Sequence, residues 1–512
     1  MMTTDPRRKK IINWDLKIFK EPQIKFRFGQ KLDDPHDGLS LFGPVDTDEP
    51  SHPKTIIYGL IGTQKGIDAF IEWSRHLNRL LKADNNERLW PPFPGFETVF
   101  NSTWPEKPAW TYTIDGENLS YASRNLDPYK RVYAVVDYYI DGIKLIEKRD
   151  ENFNVLICIV PDEVWRNCRP LSKVEHGWGT LLSPKKYEER AKGQVSLFSD
   201  EDGYETWNPE QYKLSIDFRR QIKARSMKYN VPIQIIREST IQQNNVNTKR
   251  VLTPISDRAW NLSTAIYYKS GGKPWILSTA RNGVCYIGIS FRRTSLEDNN
   301  RTACCAAQMF LDSGDGIVFL GDEGPWYSPN KKQYHLSRES ASKLLRGILK
   351  TYEQMHGLEL KEIFLHSRSN ISDEEFKGYL DACPKNVKLV GVRVKLDKSF
   401  KLFRRGHYPV LRGTFLKLNE YSAYLWASGF KPRLGTYDGW ETPSPLRIDI
   451  QHGEASIEQV AYDIFGLTKL NYNACRLGDS EPVTIGFSDA VGEILVSNPT
   501  IKDRKPSFKF YI

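Results

Sequence analysis

The segments DFRRQIKARSMKYN (217–230), VPIQIIRE (231–238), RAWNLSTAIYYKSGGKPW (258–275) and VCYIGIS (284–290) decide how the rest of the chain is read. The first is basic and amphipathic, the second a short apolar run ending in charge, the third helix-like and the fourth a strand. Lys223, Gln234 and Lys269 stand where these elements begin or end. A terminal phosphate carries about −1.5 to −2 charge and several acceptor oxygens. Two cations and a neutral donor converging at one point would grip it, each charge-assisted bond contributing roughly 1.5–3 kcal/mol. The pair Gly271-Gly272 after Lys269 suits a helix end with positive φ and close backbone approach. The same spacing also fits a solvated lysine, an edge-strand glutamine and a helix-capping lysine.

Working outward, 512 residues allow two or three domains, and 39% hydrophobic with 12% aromatic residues is globular material. Lys and Arg outnumber Asp and Glu by 73 to 63, a formal charge of +10. An acidic partner such as nucleic acid fits that balance, as does simple solubility. Seven cysteines without a CxxC pair exclude a disulfide framework or zinc module and read as reduced cytosolic thiols. No signal peptide and no membrane span are expected, which predicts a cytoplasmic protein.

On the N-terminal side, residues 1–54 are rich in charge and turns. From Lys54 the strand-like TIIYGLIG leads into a helix carrying Phe70, Trp73, Leu77 and Leu81 at helical spacing. Lys65 in the intervening turn is followed by Gly, not Ser or Thr, so no P-loop is present. Residues 85–128 read as an aromatic-rich loop excursion, 131–148 as a helix and 154–160 as a buried strand, the alternation of an α/β unit with a mostly parallel sheet. After Ser270 come a strand at 284–292, a hairpin over 303–321, a helix at 338–355, a strand at 361–366 and a Ser-capped helix at 372–382. Further strands at 387–396 and 414–427 and a helix at 454–466 complete a mixed sheet of the RNase H-like kind.

Lys223, Gln234 eleven residues on, and the Lys269-Ser-Gly-Gly272 run resemble the 5′-phosphate motif of the MID domain of Argonaute proteins. RAWNLSTAIYYKSGGKPW, NGVCYIGISFRR, ACCAAQMFLDSGDG and LTKLNYNAC resemble short prokaryotic Argonautes, over roughly residues 35–512. That resemblance implies an N-terminal segment or linker (1–53), a Rossmann-like MID domain (54–270) and an RNase H-like PIWI domain (271–512), with no PAZ domain. It implies a guide strand held by its 5′ phosphate at Lys223, Gln234 and Lys269. Mg²⁺ would be shared by Gln234 and a terminal carboxylate at Ile512. Arg219 stands where the family often has an aromatic or His stacked on the first guide base, and a guanidinium plane can also stack.

The same resemblance places the first catalytic Asp of the PIWI nuclease at Ser290, and the Asp of His-Arg-Asp-Gly at Arg368. One is neutral and the other cationic, so the expectation is no cleavage by a two-metal mechanism. Asp312, Asp315, Asp322, Glu323 and Asp489 are the acids that could restore an active guided nuclease; turn chemistry accounts for the first four. His366 reads as packing. KSFKLFRRGHYPVLR (398–412) alternates cations with rings and suggests a guide–target channel through Lys401, Arg404, Arg405 and Arg412, or a solvated basic edge. Inactive short Argonautes of this kind imply a guide RNA, a single-stranded DNA target and a TIR-APAZ partner whose NAD(P)⁺ hydrolysis is switched on by target binding and oligomerisation. A sirtuin-like APAZ NADase or an APAZ nuclease are alternative partners.

Overall fold

The computed structural model describes residues 15–512 except 84–85, 147–148, 150–151, 193–211, 213, 243–251, 294–301, 311–315, 320–322, 325–326, 329–332, 357–358, 438, 440, 499–504 and 506. Two sheets organise the described residues, and each follows from its sequence pattern.

The first sheet begins with β1 (Tyr58–Thr63), all six residues buried, which runs into α1 (Gln64–Arg75) at a Thr63 cap whose hydroxyl accepts from Gly66 N. Next come β2 (Trp110–Ile114), α2 (Pro128–Ile146), β3 (Val155–Val160), α3 (Phe218–Ser226), β4 (Ile233–Arg237) and α4 (Ile255–Lys269). The strands lie in the order β2-β1-β3-β4, all parallel. The run VLICIV of β3 is buried on both faces because helices cover both sides, as parallel sheets require. α2 opens on Pro128, where its missing N–H costs nothing, and buries Val132, Val135, Val136, Tyr139, Ile140 and Ile143. This is the Rossmann-like arrangement expected. The reading of 85–128 as a loop needs correction: WTYTI at 110–114 is the edge strand of this sheet, its alternately exposed side chains following the period of a strand.

The second sheet is built from β5 (Val284–Arg293), β6 (Thr302–Phe310), α5 (Arg338–His356), β7 (Glu362–Ser367), α6 (Asp373–Ala382), β8 (Lys388–Leu396), β9 (Thr414–Lys417), β10 (Ser422–Trp426), β11 (Leu446–His452), α7 (Ile457–Leu467) and α8 (Val483–Leu495). The strand Gly316–Phe319, β6 and β5 pair antiparallel, then β7 and β8 join parallel. Three antiparallel strands followed by two parallel ones are the RNase H-like plan. β11, β10 and β9 extend the sheet antiparallel, and Asp15–Ile18 pairs with β9 at its edge. Ser372 caps α6 by accepting from Glu375 N at 3.3 Å. Strand-like 414–427 resolves into the β9–β10 hairpin. β11 and α8 were not anticipated.

The two sheets share one hydrophobic core. Trp260 and Tyr267 on α4 and Trp275 beyond it join Ile157 and Ile236 of the first sheet to Val390, Val392 and Ile448 of the second. A smaller core joins Ala224 of α3, Val491 and Ile494 of α8, and Phe508, Phe510, Tyr511 and Ile512 of the tail. No helix of the described residues is long and apolar enough to cross a membrane.

Candidate nucleic-acid interface

α3 starts at Asp217, whose carboxylate accepts from Arg220 N at 3.0 Å. From this cap the helix buries Phe218 and Ile222 and carries Lys223 inward beside them, so the residue is 2% exposed. Its Nζ donates to the carbonyl of Ile233 at 2.6 Å and to the backbone oxygen of Ile512 at 2.6 Å. Lys269, last residue of α4, is equally buried and donates to Gln234 Oε1 on β4. Gln234 turns its own Nε2 to the carbonyl of Ile235 at 3.0 Å. The helix is then closed as the sequence indicates: Gly271 adopts φ +101°, and a Cβ on Gly272 would lie 2.4 Å from the Tyr267 ring.

The electrostatics of this cluster are one-sided. Burial, then the charges of Lys269 and Arg219, push the Lys223 pKa well below the usual lysine range. Burial, then Arg219, brings Lys269 down to about 7. Burial also lowers Arg219, against the pull of Asp217 and Glu493. Among the described residues no carboxylate side chain acts on either lysine. The structure thus brings Lys223, Gln234, Lys269, Arg219 and Ile512 together. Arg219 also lines a cavity of about 120 Å³ with Trp165, Arg169 and Glu493.

Gln234 Oε1 and the Ile512 oxygen are hard donors of the kind Mg²⁺ takes. Both accept from lysine ammonium groups, so a cation here would need the further negative charge of a phosphate. Among the described residues no group of three or more His, Cys, Asp or Glu is placed to hold a metal.

Sequence reasoning missed the support of this cluster. Gln221 Nε2 donates to the carbonyl of Ser497 at 2.7 Å, and Arg220 pairs with Glu493 of α8 at 2.9 Å. Gln221 and Arg220 belong to the same basic helix as Lys223, but their partners lie beyond residue 490.

At the far end of α8 stand the positions compared with nuclease carboxylates. Ser290 on β5 is buried and donates to the carbonyl of Ser488 at 2.8 Å. Arg368, just past β7, binds Glu481 through two nitrogens at 3.0 and 2.8 Å and Asp489 at 2.8 Å. Asp489 is therefore ion-paired with Arg368, a cation it shares with Glu481. Asp312, Asp315 and Asp322 lie outside the described residues, as does the side chain of Glu323. His366 is buried against Thr484 Oγ1 at 2.9 Å, and burial lowers its pKa to about 3, consistent with packing.

The four channel candidates part company. Arg405 is exposed, and Arg404 is exposed with its Nε on the Tyr408 carbonyl at 3.0 Å. Lys401 is half-buried on the Thr442 carbonyl and Ser444 Oγ at 2.7 and 2.6 Å. Arg412 does not share that surface. It is 5% exposed and binds Glu21 at 3.1 Å, Thr468 Oγ1 at 2.7 Å and the carbonyls of Asp479 and Ala427. A guanidinium buried among protein oxygens in this way is not open to a phosphate.

No protein-family model matches the chain. Protein argonaute of Aquifex aeolicus (strain VF5) is 22% identical over 306 residues, 59% of this chain and 38% of that protein. The structure of Clostridium butyricum Argonaute bound to a guide DNA with 5′ deoxycytidine and a 19-mer target DNA superposes with a TM-score of 0.64 at 15% identity. It covers 98% of this chain and 55% of that one. The crystal structure of Aa-Ago with externally bound siRNA gives a TM-score of 0.57 at 13% identity, over 98% of this chain and 56% of that one. The chain therefore spans little more than half the length of these structures and less of the curated relative. It is Argonaute-like, in sequence over those 306 residues and in fold over nearly its whole length.

Proposed function

We propose that the chain binds the 5′-phosphorylated end of a guide strand and uses it to recognise a complementary strand without cutting it. The observation that carries this reading is the convergence of two buried lysines and Arg219 at one point where no carboxylate side chain acts on either lysine. Buried like charges are costly alone, and a phosphate is the anion that removes the cost. The pairing of guide and target would supply sequence specificity while the protein contacts the backbone, as in other guided systems. The related structure with guide and target DNA supports that use of the fold.

Ser290 and Arg368 support the non-cleaving part. A neutral hydroxyl and a cation at those two positions cannot hold a pair of divalent ions. Mg²⁺ at the 5′ phosphate would be held by the Ile512 backbone oxygen and Gln234, where it would supply positive charge to the phosphate. Following the resemblance to short Argonautes, the guide is RNA, the target is single-stranded DNA, and the partner is a TIR-APAZ effector in the cytoplasm. Target binding then activates the partner's NAD(P)⁺ hydrolysis in defence against invading DNA.

The test compares 5′-phosphorylated with 5′-hydroxyl oligonucleotides on the purified chain, then on Lys223→Ala and Lys269→Ala. The expected result is a preference for the phosphate that both substitutions erase; equal binding of the two ends by the unaltered chain overturns the reading. A labelled complementary strand with Mg²⁺ or Mn²⁺ should yield no discrete product. Copurification with the neighbouring gene product, followed by sequencing of bound nucleic acid, tests the partner and guide assignments.

A further inference from the structure

The last three residues of α4 face three different parts of the chain, because successive helical positions point about 100° apart. Tyr268 turns to Tyr472 and to Phe508 of the tail, with ring centroids 4.7 and 6.5 Å away. Lys269 turns to Gln234 of β4. Tyr267 turns the third way, toward residues 46–52 ahead of β1. Its hydroxyl donates to Asp46 Oδ1 at 2.6 Å, and His52 Nδ1 lies 3.0 Å from the same hydroxyl. The other ring nitrogen of His52 is 3.0 Å from the Asn101 carbonyl.

Asp46 also holds the far side of the turn that follows. Its second oxygen, Oδ2, accepts from Lys273 N at 2.7 Å, and the adjacent Val45 N donates to the Pro274 carbonyl at 3.3 Å. One carboxylate therefore spans Lys269-Ser270-Gly271-Gly272, a turn whose two glycines give it little stiffness of its own. Asp46 and Tyr267 are both fully buried. A carboxylate in that position is costly unless its oxygens accept hydrogen bonds, and here each accepts one. Burial raises the Asp46 pKa, and the bonds from Tyr267 and Lys273 oppose the rise. Burial, then the charge of Asp46, pushes the Tyr267 hydroxyl far above its usual range, so it keeps the proton that it donates. Apolar groups of the same shape would fill this core at no greater cost. What the carboxylate adds is a unique arrangement, with two acceptors fixed on one rigid group.

We propose that Asp46 is a positioning residue for the phosphate grip: through Tyr267 and Lys273 it fixes the end of α4, so that Lys269 meets the 5′ phosphate together with Lys223. The segment ahead of β1, a linker by its sequence, is then part of the guide-end site, although the Asp46 carboxylate is itself closed off from any phosphate. This role rests on the reading of Lys223 and Lys269 as the grip.

The experiment takes the full chain and its Asp46→Asn, Tyr267→Phe and Ser102→Ala variants, each well below its own melting temperature. Every protein is titrated with the 5′-phosphorylated and the 5′-hydroxyl form of one oligonucleotide. Asparagine keeps the shape of Asp46 but turns a donor toward Lys273 N or the Tyr267 hydroxyl; phenylalanine removes the hydroxyl alone. Both should lower the phosphate preference by about tenfold or more, the contribution of one charge-assisted bond, with affinity for the 5′-hydroxyl form unchanged. Proton uptake on binding above pH 7, which belongs to Lys269, should fall in the same two variants. Ser102→Ala removes a different buried hydroxyl, the donor to the Pro53 carbonyl at 2.5 Å, and should keep the preference of the parent. If Asp46→Asn does not fold, Tyr267→Phe decides. Loss of preference in either supports the role; retention in every folded variant overturns it, as does an equal loss in Ser102→Ala, which would make stability the cause. A parent without any preference removes the grip, and this role with it, whereas a parent with the preference and variants that keep it remove this role alone.

Discussion

Lys223 Nζ and the backbone oxygen of Ile512 lie 2.6 Å apart although 289 positions separate the residues. The end of the described chain is thus part of the wall that holds the anchor lysine. Phe508, Phe510, Tyr511 and Ile512 pack on Ala224 of α3 and Met227 just beyond it, and Lys223 adds a polar contact to Ile512.

Lys223→Met keeps an unbranched side chain, one atom shorter, and removes its charge. Two oxygens lose a donor, while the cost of a buried ammonium next to Lys269 and Arg219 also disappears. Stability should therefore change by no more than about 2 kcal/mol. The contribution of the 5′ phosphate to binding should fall by roughly 1.5–3 kcal/mol, or about 10- to 150-fold. Thermal unfolding beside oligonucleotide titration checks both; a variant that binds phosphate as well as the parent would place the contact elsewhere.

Lys269 makes the anchor sensitive to pH. In the folded chain its pKa is about 7, against 10.5 for an ordinary lysine. Between those values the unfolded chain binds more protons, so stability rises with pH across that window, and the full cost of the buried charge applies below it. Phosphate binding has the opposite dependence, because the anion favours the ammonium form. Above pH 7 binding should take up a proton, and the 5′-phosphate preference should decline by up to about tenfold per pH unit. The phosphate itself, with a second pKa of about 6, stays dianionic there. Calorimetry in buffers of different ionisation enthalpy measures the uptake, and proton-neutral binding would contradict the assignment.

Arg412 and Arg405 occupy one basic run but should respond differently. Arg412→Gln leaves Glu21 with Lys469 alone, at 2.8 Å, and strands buried carbonyls and Thr468. Breaking such a buried network costs roughly 3–5 kcal/mol. Arg405→Gln should leave unfolding within about 0.5 kcal/mol of the parent. If Arg405 contacts a strand, its loss reduces the salt dependence of binding. Denaturant titration and binding at two salt concentrations separate the roles.

Gly288 sets how closely β5 approaches α8. A Cβ there would lie 1.7 Å from the carbonyl oxygen of Thr484 and 2.4 Å from Ser488 Oγ. Gly288→Ala must displace backbone of α8, so destabilisation of about 1–3 kcal/mol or more is expected. Because α8 reaches Arg220 through Glu493, weaker oligonucleotide binding should accompany the lower melting temperature. A variant with unchanged melting would show that the helix yields freely.

Much of this architecture is legible in sequence because local patterns carry it. VLICIV, the Ser372 cap and the double glycine after Lys269 each state their structure within a few residues. Lys269 is the last residue of α4, as the double glycine after it indicates, but Lys223 lies inside α3 and Gln234 inside β4, so spacing alone does not state their convergence; the resemblance singled them out. WTYTI was obscured by the prolines and tryptophans around it, although its alternation was present. Arg412 shows the limit most clearly. Nothing in KSFKLFRRGHYPVLR distinguishes an arginine facing solvent from one facing Glu21, 391 positions away. Burial of a charge is decided by its partner, and that partner is remote in sequence.

The edge pairing of Asp15–Ile18 with β9 has a consequence for biosynthesis. A ribosome delivers those four residues early and β9 some four hundred residues later, and Lys17 waits longer still for Glu458, 441 positions away. Contacts of such separation form slowly, because a long loop must close before they contribute. Until β9 is made, the backbone of that strand has no partner, while its apolar Leu16 and Ile18 stay exposed even in the folded chain. Translation rate, and any chaperone that covers the nascent segment, therefore bear on the yield of folded protein more than the strand's four residues would imply.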